Sequence, residues 1–381
     1  MKDTKINKIN NHFTLLHSQI SKGIASIVLL YHHLFYSRSS HSNWPNYLIF
    51  NGINFRFIIA RYFKICTGIY AFLSGIGFYY SLIKIKKLNL MYKKIFNHLV
   101  GIFLNFYCIL LFAFPIGVKT KILFNCKLNI IINSLTGTHN HGHWWYLRMY
   151  LILCIYAPLI IRLFQDIDYK KKIIPWLLFY IIFIYIRYFL KYHNGFYLKI
   201  LKEYFFFFTK FDVIQIFCVG ILCGKLDLIN IFITGNKKEE YSLCIFSIIT
   251  SIFIRCLYVS SDGDMEFDFL CVPLFILPMS HLISKNNFLT NLFCFIGKHS
   301  TNIWLIHGYF HNYFFRKILD IFNFDLLLLL WDLILCISCS YLILIIYIPI
   351  QNIIHGKGFS YEGYFYFLFQ KKNKNSEKKN K

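Results

Sequence analysis

Acidic residues are scarce in this chain: 17 Asp and Glu stand against 41 Lys and Arg in 381 residues, and charged residues make up only 15% of it. Soluble domains carry about 25% charged residues, so this shortage excludes an ordinary soluble globular domain. The 57% hydrophobic content likewise excludes a disordered chain. A paired cysteine framework is also missing. The 12 cysteines are scattered, mostly inside apolar runs, which excludes a disulfide-stapled secreted domain. Cys336 and Cys339 form a CxxC, but within an apolar run they read as small packing residues. No Walker loop or Rossmann fingerprint occurs; GIYAFLSGIG at 68–77 lacks both the lysine and the strand context. No small-residue cleavage site follows the first apolar run, so a membrane helix is expected there rather than a cleavable signal. The basic residues fall between apolar runs instead of on one surface, which argues against a nucleic-acid partner.

What the chain does have is apolar runs of membrane-crossing length. A spanning helix needs about 20 mostly apolar residues. Ten segments qualify: 20–36, 57–80, 95–117, 143–163, 173–190, 211–229, 241–259, 267–284, 291–315 and 325–350. Backbone groups in lipid must bond within the segment, so these are expected as helices. The expected fold is therefore all-α, a polytopic transmembrane bundle of about ten helices. Segment 20–350 forms the membrane domain, 1–19 a cytoplasmic tail, and 351–381 a basic cytoplasmic tail that is expected to be partly disordered. With both ends inside, 23 basic residues fall in inner segments and 11 in outer ones, as the positive-inside rule requires. The acidic stretch SDGDMEFD at 261–268 then lies outside, and the tail KKNKNSEKKNK at 371–381 can meet anionic headgroups.

Polar residues inside such spans are expensive and mark functional positions. In SKGIASIVLLYHHLFY, residues 21–36, Lys22 stands at the start of the first span and His32 and His33 in its far half. Eleven residues put Lys22 and His33 about 16 Å apart along a helix and within about 20° of one face. The bland alternative is a snorkelling lysine and packed histidines. In THNHGHWWYLRMYLILCIYAPLI, residues 138–160, His139, His141 and His143 alternate without an accompanying acid or cysteine, so no metal is expected. Trp144 and Trp145 read as interfacial anchors, with Arg148 one turn inside. In FIGKHSTNIWLIHGYFHNYFF, residues 295–315, Ser300 and His307 share a face, as do His307 and His311. Gly75 and Gly77 of the SGIG patch are expected to permit close helix approach. The loop KIKKLNLMYKKIF, residues 84–96, is basic enough either to set orientation or to hold phosphates.

Five of these segments, SKGIASIVLLYHH, LSGIGFYY, MYKKIF, HWWYLRMYLILCIYAPLI and GKHSTNIWLIH, resemble in order the acyltransferase-3 family of integral-membrane O-acyltransferases. The resemblance covers residues 18–350. It implies a membrane-embedded enzyme of the bacterial inner membrane, both termini cytoplasmic. The enzyme would move an acyl group, acetyl by default, from cytoplasmic acyl-CoA to a hydroxyl of a surface or lipid-linked glycan. No permanently bound cofactor is implied. The family's first helix carries a basic residue, ten intervening residues and then histidine; Lys22 and His33 have that spacing, with lysine where arginine is usual. The resemblance makes His33 the essential histidine, acting as general base or as a covalent acyl carrier. Lys22 is its companion and His32 the alternative register. It makes Lys93 and Lys94 acyl-CoA contacts. Ser300 and His307 match a Ser-to-His segment, and with Trp144 and Arg148 they are candidates for substrate or oxyanion contacts. Tyr150 stands where many members carry an acid, so no acid role transfers. Two other readings stay open: a multi-span transporter or flippase of a glycan or acyl precursor, and another membrane O-acyltransferase class in which His307 is essential.

Overall fold

The computed structural model describes residues 13–36, 49–50, 53–119, 145–165, 185, 211–258, 267–313, 316–319, 321–322 and 324–354. Most of the expected fifth span, the His139–His143 run, Trp144, most of the acidic stretch, residues 1–12 and residues 355–381 lie outside these residues; the expected tails 1–19 and 351–381 are shorter than read from the sequence, because the first helix already begins at Leu15 and the last continues to Ile354.

The described chain is helical, apart from a two-residue antiparallel pairing of Ile49–Phe50 with Ile53–Asn54. The helices are α1 (Leu15–Tyr36), α2 (Phe55–Tyr62), α3 (Cys66–Leu82), α4 (Leu88–Lys119), α5 (Trp145–Gln165) and α6 (Phe211–Leu226). They continue with α7 (Lys237–Tyr258), α8 (Asp268–Ser284), α9 (Asn287–Lys298), α10 (Ser300–Gly308), α11 (Arg316–Leu319) and α12 (Asp325–Ile354). Five stretches are long and apolar enough to cross a membrane: Phe55–Leu82, Leu88–Phe112, Trp145–Gln165, Lys237–Leu257 and Asp325–Ile354. Their outward positions are apolar, as at Phe96, Leu111, Ile155, Leu163, Phe246, Phe253 and Ile334. Large hydrophobic side chains facing outward along whole helices suit a lipid surface and would be a liability in water.

Three differences from the expected spans have local causes. The basic stretch 84–96 is only partly a loop, because MYKKIF already belongs to α4. Lys, Leu and Met are good helix formers and nothing there breaks the ladder. The second span is interrupted by a 3-10 turn at Phe63–Ile65. The ninth is cut at His299, which ends α9 and begins α10, and a π turn at Tyr309–Tyr313 follows. Such interruptions are tolerated at membrane depth where other groups take up the released backbone hydrogen bonds. At the first break His32 donates Nδ1–H to the Ala60 carbonyl at 2.7 Å, and Arg255 of α7 donates Nε–H to the Tyr62 carbonyl at 2.9 Å. Arg255 is in turn ion-paired with Asp268 of α8, and both are buried.

Helix α1 runs through the middle of the bundle, burying Ile20, Ile24, Ala25, Val28, Leu29 and Leu30. It crosses α9 at backbone contact, with Gly23 against the Phe293 carbonyl and Gly297 against that of Gln19. Helices α3 and α6 cross the same way, Gly75 against the Phe217 carbonyl and Gly220 against that of Phe72. The two glycines of the SGIG patch therefore part company. Gly75 is a crossing residue, whereas a Cβ at Gly77 would meet nothing within 4 Å. A side chain at Gly75 or Gly220 has backbone in its way and cannot be accommodated by a rotamer change. Gly220→Val is expected to destabilise the protein by about 3 kcal/mol or more and Gly77→Ala to leave it unchanged. Thermal unfolding of the two variants in detergent checks this.

Candidate active site

Two features adjoin along α1 and α10: a cavity and a histidine cluster. The cavity has a volume of about 380 Å³ and lies among α1, α3, α4, α5 and α10. At one end are Ser18, Ser81, Leu82 and Lys94. Lys94 donates from Nζ to the Ser81 carbonyl at 2.8 Å, which ties α4 to the end of α3. Lys22 enters the wall one turn farther along α1, with no acid paired to it among the described residues. Ser74, Gly77, His98, Tyr150 and Ser300 line the middle. The far end is aromatic: Tyr146 meets Trp304 edge-on at 5.4 Å and 88°, and Tyr70 shares a 3.1 Å hydroxyl contact with Ser26.

Trp304 also links the cavity to the cluster. Its indole forms part of the cavity wall, while its carbonyl accepts Nδ1–H of His307 at 2.6 Å. That bond fixes the tautomer, so Nε2 is the basic nitrogen of His307. The His307 ring lies 4.8 Å from His33, and His311 lies 5.6 Å from His307 and 6.2 Å from His33. His311 donates Nε2–H to Asp332 of α12 at 2.6 Å, and Asp332 is fully buried. A Cys336 thiol sits 3.7 Å from the other carboxylate oxygen. The result is three imidazoles in mutual contact with one carboxylate behind them, a pattern suited to holding and passing a proton.

The expected residues sort as follows. Lys22, Lys94 and Ser300 line the cavity, whereas His33 and His307 pack on each other outside its lining, next to Trp304. His32 is buried and donates to the Ala60 carbonyl, whereas its neighbour His33 packs on His307. Lys93 is exposed and Arg148 half-buried, and neither lines the cavity. Trp144 lies outside the described residues. Asp332 and His98 are additions, and His311, read from the sequence as sharing a face with His307, joins the cluster through Asp332. For Asp332 a signal existed: an acid inside DLLLLLWDLILCISC costs too much to be idle. His98 had no such mark, since it follows a basic stretch and reads there as part of it. No protein-family model matches this chain, and neither do any curated proteins or solved structures.

Proposed function

We propose that the chain is a membrane-embedded O-acyltransferase, a bundle of about ten spans with both termini cytoplasmic, moving an acyl group from acyl-CoA to a hydroxyl of a surface or lipid-linked glycan. The observation that carries the reading is the adjacency of a lysine-headed cavity and a histidine cluster, joined through Trp304. Lys94 and Lys22 would hold the phosphates of the donor as point charges. The acyl-bearing arm would run along the cavity toward Trp304. The acceptor hydroxyl would approach His33 from the opposite side. As the acceptor oxygen forms its bond to the thioester carbon, His33 takes the hydroxyl proton. The carbonyl π pair moves onto oxygen, and collapse breaks the C–S bond. The CoA sulfur then leaves with the proton His33 returns. His307, His311 and Asp332 stabilise the imidazolium between those two events. The resemblance of five segments, in order, to the acyltransferase-3 family supports the same reading, and an inner bacterial membrane suits a cytoplasmic donor and a surface acceptor.

The test uses the open space at Gly77. Gly77 lines the cavity and a Cβ there meets nothing within 4 Å, so a large side chain at 77 starts from open space and is expected to fill the cavity. Gly77→Trp is expected to abolish transfer from labelled acetyl-CoA to the glycan fraction, with the protein accumulating normally in membranes. Wild-type membranes that neither transfer nor release the label would instead indicate a carrier.

A further inference from the structure

Partway along the cavity, His98 of α4 meets Tyr150 of α5, with Nε2 and the phenolic oxygen 2.8 Å apart. Both line the cavity, and the proposed chemistry uses neither. Phe78 fixes the two rings, edge-on to His98 at 5.7 Å and stacked on Tyr150 at 6.2 Å. Their bond can be made in two ways. When Tyr150 donates, His98 carries its proton on Nδ1 and the tyrosine oxygen keeps acceptor capacity. When His98 donates from Nε2, Nδ1 becomes the acceptor and the tyrosine O–H the donor. Ser74 and Cys154 also border the Tyr150 hydroxyl, and in either arrangement Nδ1 of His98 stays available, as donor in the first and acceptor in the second, with the tyrosine oxygen supplying the complementary group.

A secondary amide is the complement of such a pair, with one carbonyl to accept and one N–H to donate. A hydrocarbon chain offers neither. It would cover the pair and leave it unsatisfied, which is costly. The Tyr146 hydroxyl farther in is buried beside Ser74, and a hydrocarbon chain would add no partner for it. Much of the wall is apolar, with Leu73, Phe78, Ile95 and Ile102 among its residues, so the discrimination rests on the His98–Tyr150 pair and on Lys22 and Lys94, which favour an arm with an amide and an anionic end over a bare hydrocarbon. We propose that His98 and Tyr150 are specificity-determining residues that bind an amide of a pantetheine arm, so that the cavity selects a CoA-type donor over a fatty or polyprenyl chain. This rests on the acyl-transfer reading for the direction in which the arm lies.

The experiment titrates CoA into the purified full-length protein in detergent, by calorimetry, with decanoate as an anionic chain lacking amides. CoA is expected to bind and decanoate not to displace it. Tyr150→Phe and His98→Phe should each weaken CoA binding about tenfold with unfolding temperatures near wild type. His98→Gln, which keeps a donor and an acceptor, should retain most of the affinity. No CoA binding, equal competition by decanoate, or CoA affinity unchanged in both phenylalanine variants would overturn the assignment. The two proposals separate cleanly. Acetyl transfer with unchanged CoA affinity in the variants removes this one alone. CoA binding that depends on the pair, in a protein that never transfers acyl groups, upholds it and removes the enzymatic reading.

Discussion

Replacing His33 by alanine should lower acyl transfer by about 10²–10⁴-fold, the contribution of a positioned acid–base group, while the protein remains in the membrane at its normal level. His33 is half-buried and its ring packs on His307 at 4.8 Å. Removing it takes away the imidazole that packs on His307 next to the cavity-lining Trp304. His32→Ala should do the reverse. It removes the 2.7 Å bond to the Ala60 carbonyl and leaves a buried acceptor unsatisfied, a loss of about 1–3 kcal/mol. Its effect should appear in unfolding temperature and expression, with turnover per folded molecule retained. Assaying labelled acetyl transfer and membrane abundance for both variants decides the matter. Transfer that survives His33→Ala would remove this histidine from the mechanism.

The second large effect is on the fold. Arg255→Met should destabilise the protein by about 3–5 kcal/mol, because it leaves the carboxylate of Asp268 buried and uncompensated. Asp268→Leu should cost a similar amount by stranding the guanidinium. Arg255 is 3% exposed and Asp268 1%, so water cannot take over for the missing partner. Removing both charges together should recover much of the loss, since a buried pair replaced by apolar groups is often neutral. What the double variant cannot recover is the bond from Arg255 to the Tyr62 carbonyl at the helix break. A thermal-unfolding double-mutant cycle in detergent measures all three terms. Equal loss in the double variant and the worse single one would mean that the carbonyl bond, not the ion pair, is what matters there.

Much of the architecture was legible from apolar run length alone, because lipid imposes one requirement on every crossing segment. Helices Asp268–Ser284 and Asp325–Ile354 begin within a residue of where hydropathy places them. The interruptions were not legible. Arg61 and Lys64 mark Phe63–Ile65 as a charged patch but not as a break, and the side chains that take up its backbone carbonyls, His32 and Arg255, are distant in sequence. The site divides along the same line. Lys22 and His33 share one helix, so their relation follows from helical geometry. Asp332 and His98 acquire meaning from helices 21 and 52 residues away in the chain, through His311 and Tyr150. The glycines show the limit of composition: Gly75 and Gly77 sit two residues apart in one patch, yet one touches a neighbouring backbone and the other faces a void.

Under the proposed acyl transfer, the tight crossing of α1 by α9 has a consequence for which molecules could serve as donors. Gly23 is wedged against the Phe293 carbonyl, so α1 cannot slide lengthwise past its neighbour. Lys22 and His33 become two fixed marks on a ruler, about 16 Å apart at the helical rise. A compact activated acid such as acetyl phosphate carries its anion and its reactive carbon only a few bonds apart and cannot reach from one mark to the other.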